Sequence, residues 1–134
     1  MHIILIITTV PHLLCIIPII CYYDIISDYI HIIILSTLFS ILYHTNENCN
    51  IIVMLDYSLA FVWFLYDINY GFIHNILGNI IFVNLISFII NYNIKHDKNY
   101  ITYHSIWHII NAYKCYYVSI LISLQLTKNM NRYI

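Results

Sequence analysis

Charged residues are scarce in this chain. Aspartate, glutamate, lysine and arginine make up 8% of the 134 residues, whereas a soluble domain carries roughly a quarter. Hydrophobic residues make up 62% of the chain, and the mean hydropathy is +0.81. Because this small number of charged residues cannot cover a water-facing surface, the composition predicts an integral membrane protein.

The sequence also lacks a surplus of positive charge. The formal net charge is -1 with neutral histidines, which provides no basic field for a polyanion. We therefore expect no nucleic-acid partner, and the membrane remains the expected surroundings of the chain.

No pair of cysteines has the CxxC spacing that is typical of metal or redox motifs. The four cysteines are Cys15, Cys21, Cys49 and Cys115. Three of them, all except Cys49, lie in apolar runs, where cysteine ordinarily behaves as a small buried hydrophobe. No disulfide framework is predicted.

Internal repeats and low-complexity linkers are absent too, so we predict a single domain over residues 1–134. A bilayer core needs about 20 apolar residues for each helix. The apolar runs predict an all-α, multi-pass transmembrane bundle of about five helices, with the segments 22–29 and 66–71 as turns. The first run lacks the basic segment and the cleavage site of a signal peptide and is expected to remain as a helix. The predicted helices are 3–22, 29–45, 51–66, 72–92 and 101–126.

The orientation in the membrane is not predicted. With five spans, Lys95 and Lys98 lie on the same side as the N-terminus, and Lys128 and Arg132 lie on the opposite side. The positive-inside rule therefore gives a tie.

Ionisable groups inside membrane helices are expensive and are candidates for function. Ser40 and His44, in "SILYH", are four residues apart, as are His104 and His108 in "HSIWH". Each pair therefore shares one helix face. Asp56 lies near the start of the third helix. With five alternating spans, all five residues fall at a similar depth near the same side of the membrane.

Three neutral imidazoles with an open fourth position are the ligand set of a catalytic zinc site. Zinc makes a bound water more acidic and polarises a carbonyl group. A carboxylate such as Asp56 can orient that water or accept its proton, and the Ser40 hydroxyl can donate to a developing oxyanion. We therefore predict Zn²⁺ on His44, His104 and His108, with Asp56 and Ser40 as catalytic residues.

The other ionisable residues of the apolar runs do not indicate a specific functional site. His12, His31 and His74 have no partner nearby in the sequence, so structural or interfacial roles are expected. Lys114 lies off the face that carries His104 and His108, so we expect its side chain to snorkel or to meet a carbonyl group.

The order of these motifs resembles the CREST superfamily of membrane hydrolases. Its members include alkaline ceramidases, adiponectin and progestin receptors, Per-type GPI-remodelling factors and a transmembrane GPI-directed phospholipase A branch. The family pattern is SxxxH late in the second helix, aspartate in the third and HxxxH in the last. "SILYH", Asp56 and "HSIWHIINAYK" are most similar to the GPI-phospholipase branch. The resemblance implies that three histidines hold zinc beside Asp56 and Ser40, and that a lipid ester or amide is hydrolysed.

Two features depart from the family pattern. The family has seven helices and five are predicted here, although the loss of two helices between the third and the last keeps HxxxH on the same side. The acidic, tryptophan-containing N-terminal stretch of the alkaline ceramidases is absent, which argues against a ceramidase. It stays open whether the chain closes its pocket alone or as a homo-oligomer.

Three functions are compatible with these residues. The first is a zinc-dependent intramembrane lipid hydrolase. The second is a reduced, non-catalytic relative in which zinc stabilises a lipid sensor. The third is a small structural membrane subunit of a larger complex. The first two require a lipid substrate or ligand, and the third requires a stable protein partner.

Overall fold

The computed structural model describes residues 3–94 and 99–131, and within these ranges the protein is helical and contains no strand. The all-α prediction is confirmed for this part of the chain. Lys95, Lys98 and Arg132, which entered the orientation argument, lie outside the described residues. Five α-helices occur in the described ranges, with two 3-10 helices, Val10–Ile16 and Ile20–Tyr22, between the first and the second. The α-helices are α1 (Ile3–Thr9), α2 (Tyr23–Thr45), α3 (Asn50–Ile73), α4 (Leu77–Ile94) and α5 (Tyr100–Met130).

The predicted first helix, residues 3–22, is divided into an α-helix and two 3-10 helices in the region of its two prolines. The α-helix ends at Thr9 and gives way to the 3-10 helix, which has Pro11 at its start and Pro18 just beyond its end. Proline donates no backbone hydrogen bond and its ring crowds the carbonyl group four residues earlier. The tighter 3-10 geometry accommodates this in a short stretch. The segment is nevertheless part of the core, because Leu5, Cys15 and Ile19 are fully buried.

The two predicted turns, 22–29 and 66–71, are mostly helical. α2 begins at Tyr23 and has a kink at Ile26, the one residue inside the helix with non-helical angles. α3 continues to Ile73, because the polar Asp67 is 1% exposed and bonded inside the protein rather than facing water. The chain reverses just afterwards, where Asn75 has a φ of 58°, a left-handed conformation that asparagine tolerates.

The N-terminal segment and α5 run side by side in the same direction. Thr9 contacts His108 near one end, and the hydroxyl groups of Tyr22 and Thr127 are hydrogen-bonded near the other. α5 also packs against α4, and α2 packs against α3. The core between these helices contains large buried side chains, including Tyr29, Ile33, Ile80, Val118 and Ile122. The end of α2 lies beside the start of α5, where His44 contacts His108.

Two helical stretches of the described chain, Ile20–Thr45 and Asn50–Ile73, are long and apolar enough to cross a membrane. Ile3–Ile16 and Leu77–Ile90 are apolar but shorter. Only 11% of the most apolar window of Asn50–Ile73 is buried inside the protein. α3 is therefore an apolar helix with most of its surface facing outwards.

The junction of α3 and α4 depends on a close approach at Gly71. A Cβ atom at this position would lie 2.9 Å from the Ile80 side chain and 3.2 Å from the Leu77 backbone. Glycine lets the two helices pack tightly beside the turn.

Candidate metal centre and cavity

Three histidines from two helices meet at one end of the bundle. His44 lies in the last turn of α2, and His104 and His108 lie in the first turns of α5. His44 is 0% exposed and His108 is 2% exposed, whereas His104 is partly exposed. The spacing of four residues places His104 and His108 on one face of α5, and the packing turns that face towards His44.

The ring nitrogens of this cluster are close enough to share one ion. One potential ligand atom from each histidine lies within 4.8 Å of the others, and the Nε2 atoms of His44 and His108 are 2.9 Å apart. Two nitrogens bound to one tetrahedral zinc at the usual Zn–N distance are separated by about 3.3 Å. Small side-chain shifts would bring the three nitrogens to that spacing. The cluster can therefore hold a metal ion, and the predicted convergence of the three histidines is confirmed.

The rings of the cluster are held by surrounding groups. His104 stacks between Tyr100 and Trp107, with ring centroids 4.9 and 5.3 Å away. Glu47 Oε1 lies 3.7 Å from His44 Nδ1, and the Thr9 hydroxyl lies 3.4 Å from His108 Nε2.

A group at the ring nitrogen that does not bind the metal raises metal affinity. Glu47 lies at such a nitrogen, whereas Thr9 lies at the His108 nitrogen that faces His44. The sequence did not indicate that either residue lies beside the histidines. Glu47 lies in a polar loop, and Thr9 lies in an apolar run.

Ser40 and Asp56 line the same cavity as the three histidines. Ser40 lies one turn before His44 on α2, and its side chain lies beside the carboxyl group of Asp56. Both side chains are partly exposed. The structure thus brings all five candidate residues to one cavity, with the Ser40–Asp56 pair and the histidine cluster in its wall.

The cavity has a volume of about 580 Å³, within the range of small-molecule sites. Part of its wall is apolar and comes from α3 and α4. Several of these wall residues are also well exposed at the outer surface, so the cavity is open beside α3 and α4. They are Phe61, Phe64, Ile81, Leu85 and Phe88.

His12 lines this cavity, although it has no partner nearby in the sequence and a structural or interfacial role was expected for it. Its ring centroid is 5.7 Å from that of His108. Nδ1 donates to the Thr9 carbonyl at 2.7 Å, so Nε2 is the acceptor of the 3.0 Å bond from the Asn111 amide. Asn111 in turn accepts a hydrogen bond from Ser87. His12 and His108 lie on different helices and are 96 residues apart in the chain, so the spacing of residues within one helix could not predict this contact.

Lys114 does not snorkel to the surface, and the other expectation, contact with a carbonyl group, is met by the side-chain carbonyl of Asn84. The lysine side chain is 12% exposed, and Nζ lies 3.7 Å from Asp67 Oδ2. Nζ also donates to Asn84 Oδ1 at 3.0 Å, and Tyr29 donates to Asp67 Oδ1 at 2.6 Å. These residues form a buried polar network deeper in the bundle than the histidines. Asp67 was not predicted as a buried residue, because its polar neighbours in the sequence indicated a turn.

Comparison of this chain with protein-family models, with curated proteins and with solved structures gives no match. Function is therefore inferred from the chemistry of the cavity and its residues.

Proposed function

We propose that the chain is a multi-pass membrane protein in which all five helices lie in a bilayer. The composition supports this, since 8% charged residues leave little to face water. The surface of α3 supports it as well, because an apolar helix that is mostly unburied needs an apolar solvent. α1 and α4 are short for a bilayer of ordinary thickness, and local thinning of the bilayer would accommodate them.

We further propose that the protein is a zinc-dependent hydrolase of a lipid ester or amide, and a shortened relative of the CREST hydrolases. The observation that carries this proposal is the convergence of His44, His104 and His108 in the wall of a cavity that also contains Ser40 and Asp56. Histidine nitrogens are the ligands that zinc prefers in catalytic sites, where a fourth position remains open for water or substrate.

The residues of the chain have separate roles in this proposal. Zinc, when bound, would supply a Lewis acid and an acidic water. Asp56 orients the attacking water and accepts its proton. Ser40, which lies beside Asp56, donates its hydroxyl proton in a hydrogen bond to the carbonyl oxygen of the substrate as negative charge develops there. The apolar wall from α3 and α4 holds the acyl chain, which enters from the surrounding lipid.

The first experiment measures zinc by elemental analysis of detergent-purified protein. We expect about one zinc per chain and its loss in the triple variant His44→Ala, His104→Ala, His108→Ala. His31→Ala is the matched control, because His31 is exposed and contacts Tyr23 at the other end of α2. Wild-type protein without zinc after metal-replete purification would contradict the proposal and favour a structural subunit.

The second experiment tests catalysis once zinc is established. A panel of phospholipid, glycolipid and ceramide substrates is screened for release of fatty acid, with Asp56→Asn beside the wild type. We expect turnover in the wild type, and loss of turnover with retained zinc in the variant. Zinc binding without turnover on any ester or amide would instead favour the non-catalytic lipid sensor.

A further inference from the structure

Lys114 is the most unusual charged group of the described residues, because a lysine inside an apolar bundle is expensive and is a functional candidate by default. It lies six residues after His108 on α5, which corresponds to about 9 Å along the helix axis. The cavity that contains the histidine cluster extends to Lys114 and to its partner Asn84. The cavity therefore has polar groups at two separate positions.

The partners of Lys114 leave room for a ligand. Its ammonium group has three N–H donors, and one of them makes the 3.0 Å bond to Asn84. Asp67 Oδ2, at 3.7 Å, is beyond the usual length of a charge-assisted hydrogen bond, and the other oxygen of Asp67 is taken by Tyr29. Its other neighbours are the thiols of Cys15 and Cys115, which are weak acceptors, and the ring of Trp63, whose centroid lies 6.0 Å from Nζ. A hydrogen-bond acceptor in the cavity could therefore use an N–H donor of Lys114 that these contacts leave poorly satisfied.

Charge and hydrogen bonding together select the ligand group. Lys114 and Asp67 balance each other, so a neutral acceptor binds without leaving a net charge in the apolar interior, whereas a phosphate would have to be desolvated there. The Asn84 carbonyl oxygen accepts from Lys114 and has a second lone pair. A hydroxyl group fits both, since it can accept from Lys114 and donate to Asn84.

We propose that Lys114 and Asn84 form a second subsite that binds a hydroxyl group on the acyl chain of a lipid whose head end lies at the histidine cluster. This proposal rests on the proposed function and defines its substrate class as hydroxylated acyl lipids. The separation along α5 corresponds to a hydroxyl about eight carbons from the carboxyl carbon of an extended chain. Without such a ligand, Lys114 would be a purely structural partner of Asp67.

The test measures binding rather than turnover. Detergent-purified, zinc-loaded protein is titrated with three octadecanoic acids: the unsubstituted acid, the acid with a mid-chain hydroxyl and the acid with a terminal hydroxyl. Tryptophan fluorescence reports occupancy, because Trp63 and Trp107, the two tryptophans of the chain, both line the cavity. We expect the mid-chain hydroxy acid to bind about 5- to 10-fold more tightly than the other two, which is the effect of one added buried hydrogen bond.

The decisive variant is the double substitution Lys114→Met, Asp67→Asn, which removes both charges and keeps the side-chain volumes similar. We expect it to bind all three acids with equal affinity, whereas Lys128→Met, an exposed lysine further along α5, keeps the preference. Thermal unfolding of each variant is recorded in parallel. An unchanged preference in a folded double variant, or no preference in the wild type, would overturn the proposal.

The same titration separates this inference from the proposed function. The triple histidine variant lacks the proposed metal ligands but retains Lys114 and Asn84. If it keeps the preference for the mid-chain hydroxyl, the subsite stands whether or not the protein hydrolyses lipids. If wild-type protein binds zinc and releases fatty acid but shows no preference, the subsite alone is wrong.

Discussion

The Nε2 atoms of His44 and His108 lie 2.9 Å apart, although 64 residues separate them in the chain. A hydrogen bond needs one donor, so without an ion one of the two rings must carry a hydrogen on Nε2 and donate it in a hydrogen bond to the other Nε2. A metal ion between the rings satisfies both lone pairs. The contact joins the end of α2 to the start of α5, so metal binding and the packing of these helices are coupled.

Loss of a single ligand should weaken zinc binding more than loss of an outer group. We expect His104→Ala to lower zinc affinity by more than about 100-fold and Glu47→Gln to lower it by about 10- to 100-fold, the range for groups that orient a ligand. Competition with a chelator of known affinity measures both. Asp24→Asn, at the other end of α2, is the control. Equal affinities for wild type and His104→Ala would exclude His104 as a ligand.

The ion pair between Lys114 and Asp67 should show strong coupling. Lys114→Met leaves a buried carboxylate without its cation and should lower the free energy of unfolding by about 3–5 kcal/mol. Asp67→Asn should be similarly harmful, and the double variant should recover most of the loss because no uncompensated charge remains. Reversible unfolding in mixed micelles provides the four values of the cycle. Additive losses in the double variant would mean that the two charges do not interact.

Gly71 and Gly78 should respond in opposite ways to alanine. Gly71→Ala places a methyl group against Ile80 and the Leu77 backbone, and such overpacking typically destabilises by about 1–3 kcal/mol. At Gly78 a Cβ atom meets nothing within 4 Å, so Gly78→Ala should stabilise α4 by up to about 1 kcal/mol. Thermal unfolding of the two variants measures the contrast. A neutral Gly71→Ala would show that the α3–α4 junction is looser than described.

Asn111 links the N-terminal segment to α4 through His12 and Ser87. Asn111→Ala removes the donor to His12 Nε2 and the acceptor for the Ser87 hydroxyl. A buried polar group without a partner costs about 1–3 kcal/mol, so we expect a loss of stability of that size in an unfolding experiment. Asn79→Ala, an exposed position on α4, should have little effect. Similar values for both variants would argue against the link.

Much of the histidine cluster could be predicted from spacing. A repeat of four residues places Ser40 with His44 and His104 with His108, because an α-helix returns to the same face after about 3.6 residues. Alternation of spans then places both pairs near one side. These inferences require only the repeat of a single helix and the direction of each successive helix. The described helices have the predicted repeat and direction at both pairs.

The polar network around Lys114 could not be predicted in the same way. Asp67 is followed within four residues by asparagine, tyrosine and glycine, which locally is typical of a turn. Only the packing of α2 against α3 brings the Tyr29 hydroxyl to this carboxylate, and only the packing of α5 brings Lys114. Partners that are 38 residues apart in the chain, as Tyr29 and Asp67 are, leave no periodic signal in the sequence.

The sequence by itself determined the helical class, the apolar character of the chain and the pairing of residues within each helix, because these follow from composition and from the repeat of a single helix. The tertiary structure decided the rest. It placed His12 beside His108, buried Asp67 with Lys114, and joined the histidine cluster and Lys114 in one cavity. Such contacts depend on how side chains from different helices fill shared space, and close packing is a property of the whole bundle rather than of any one segment.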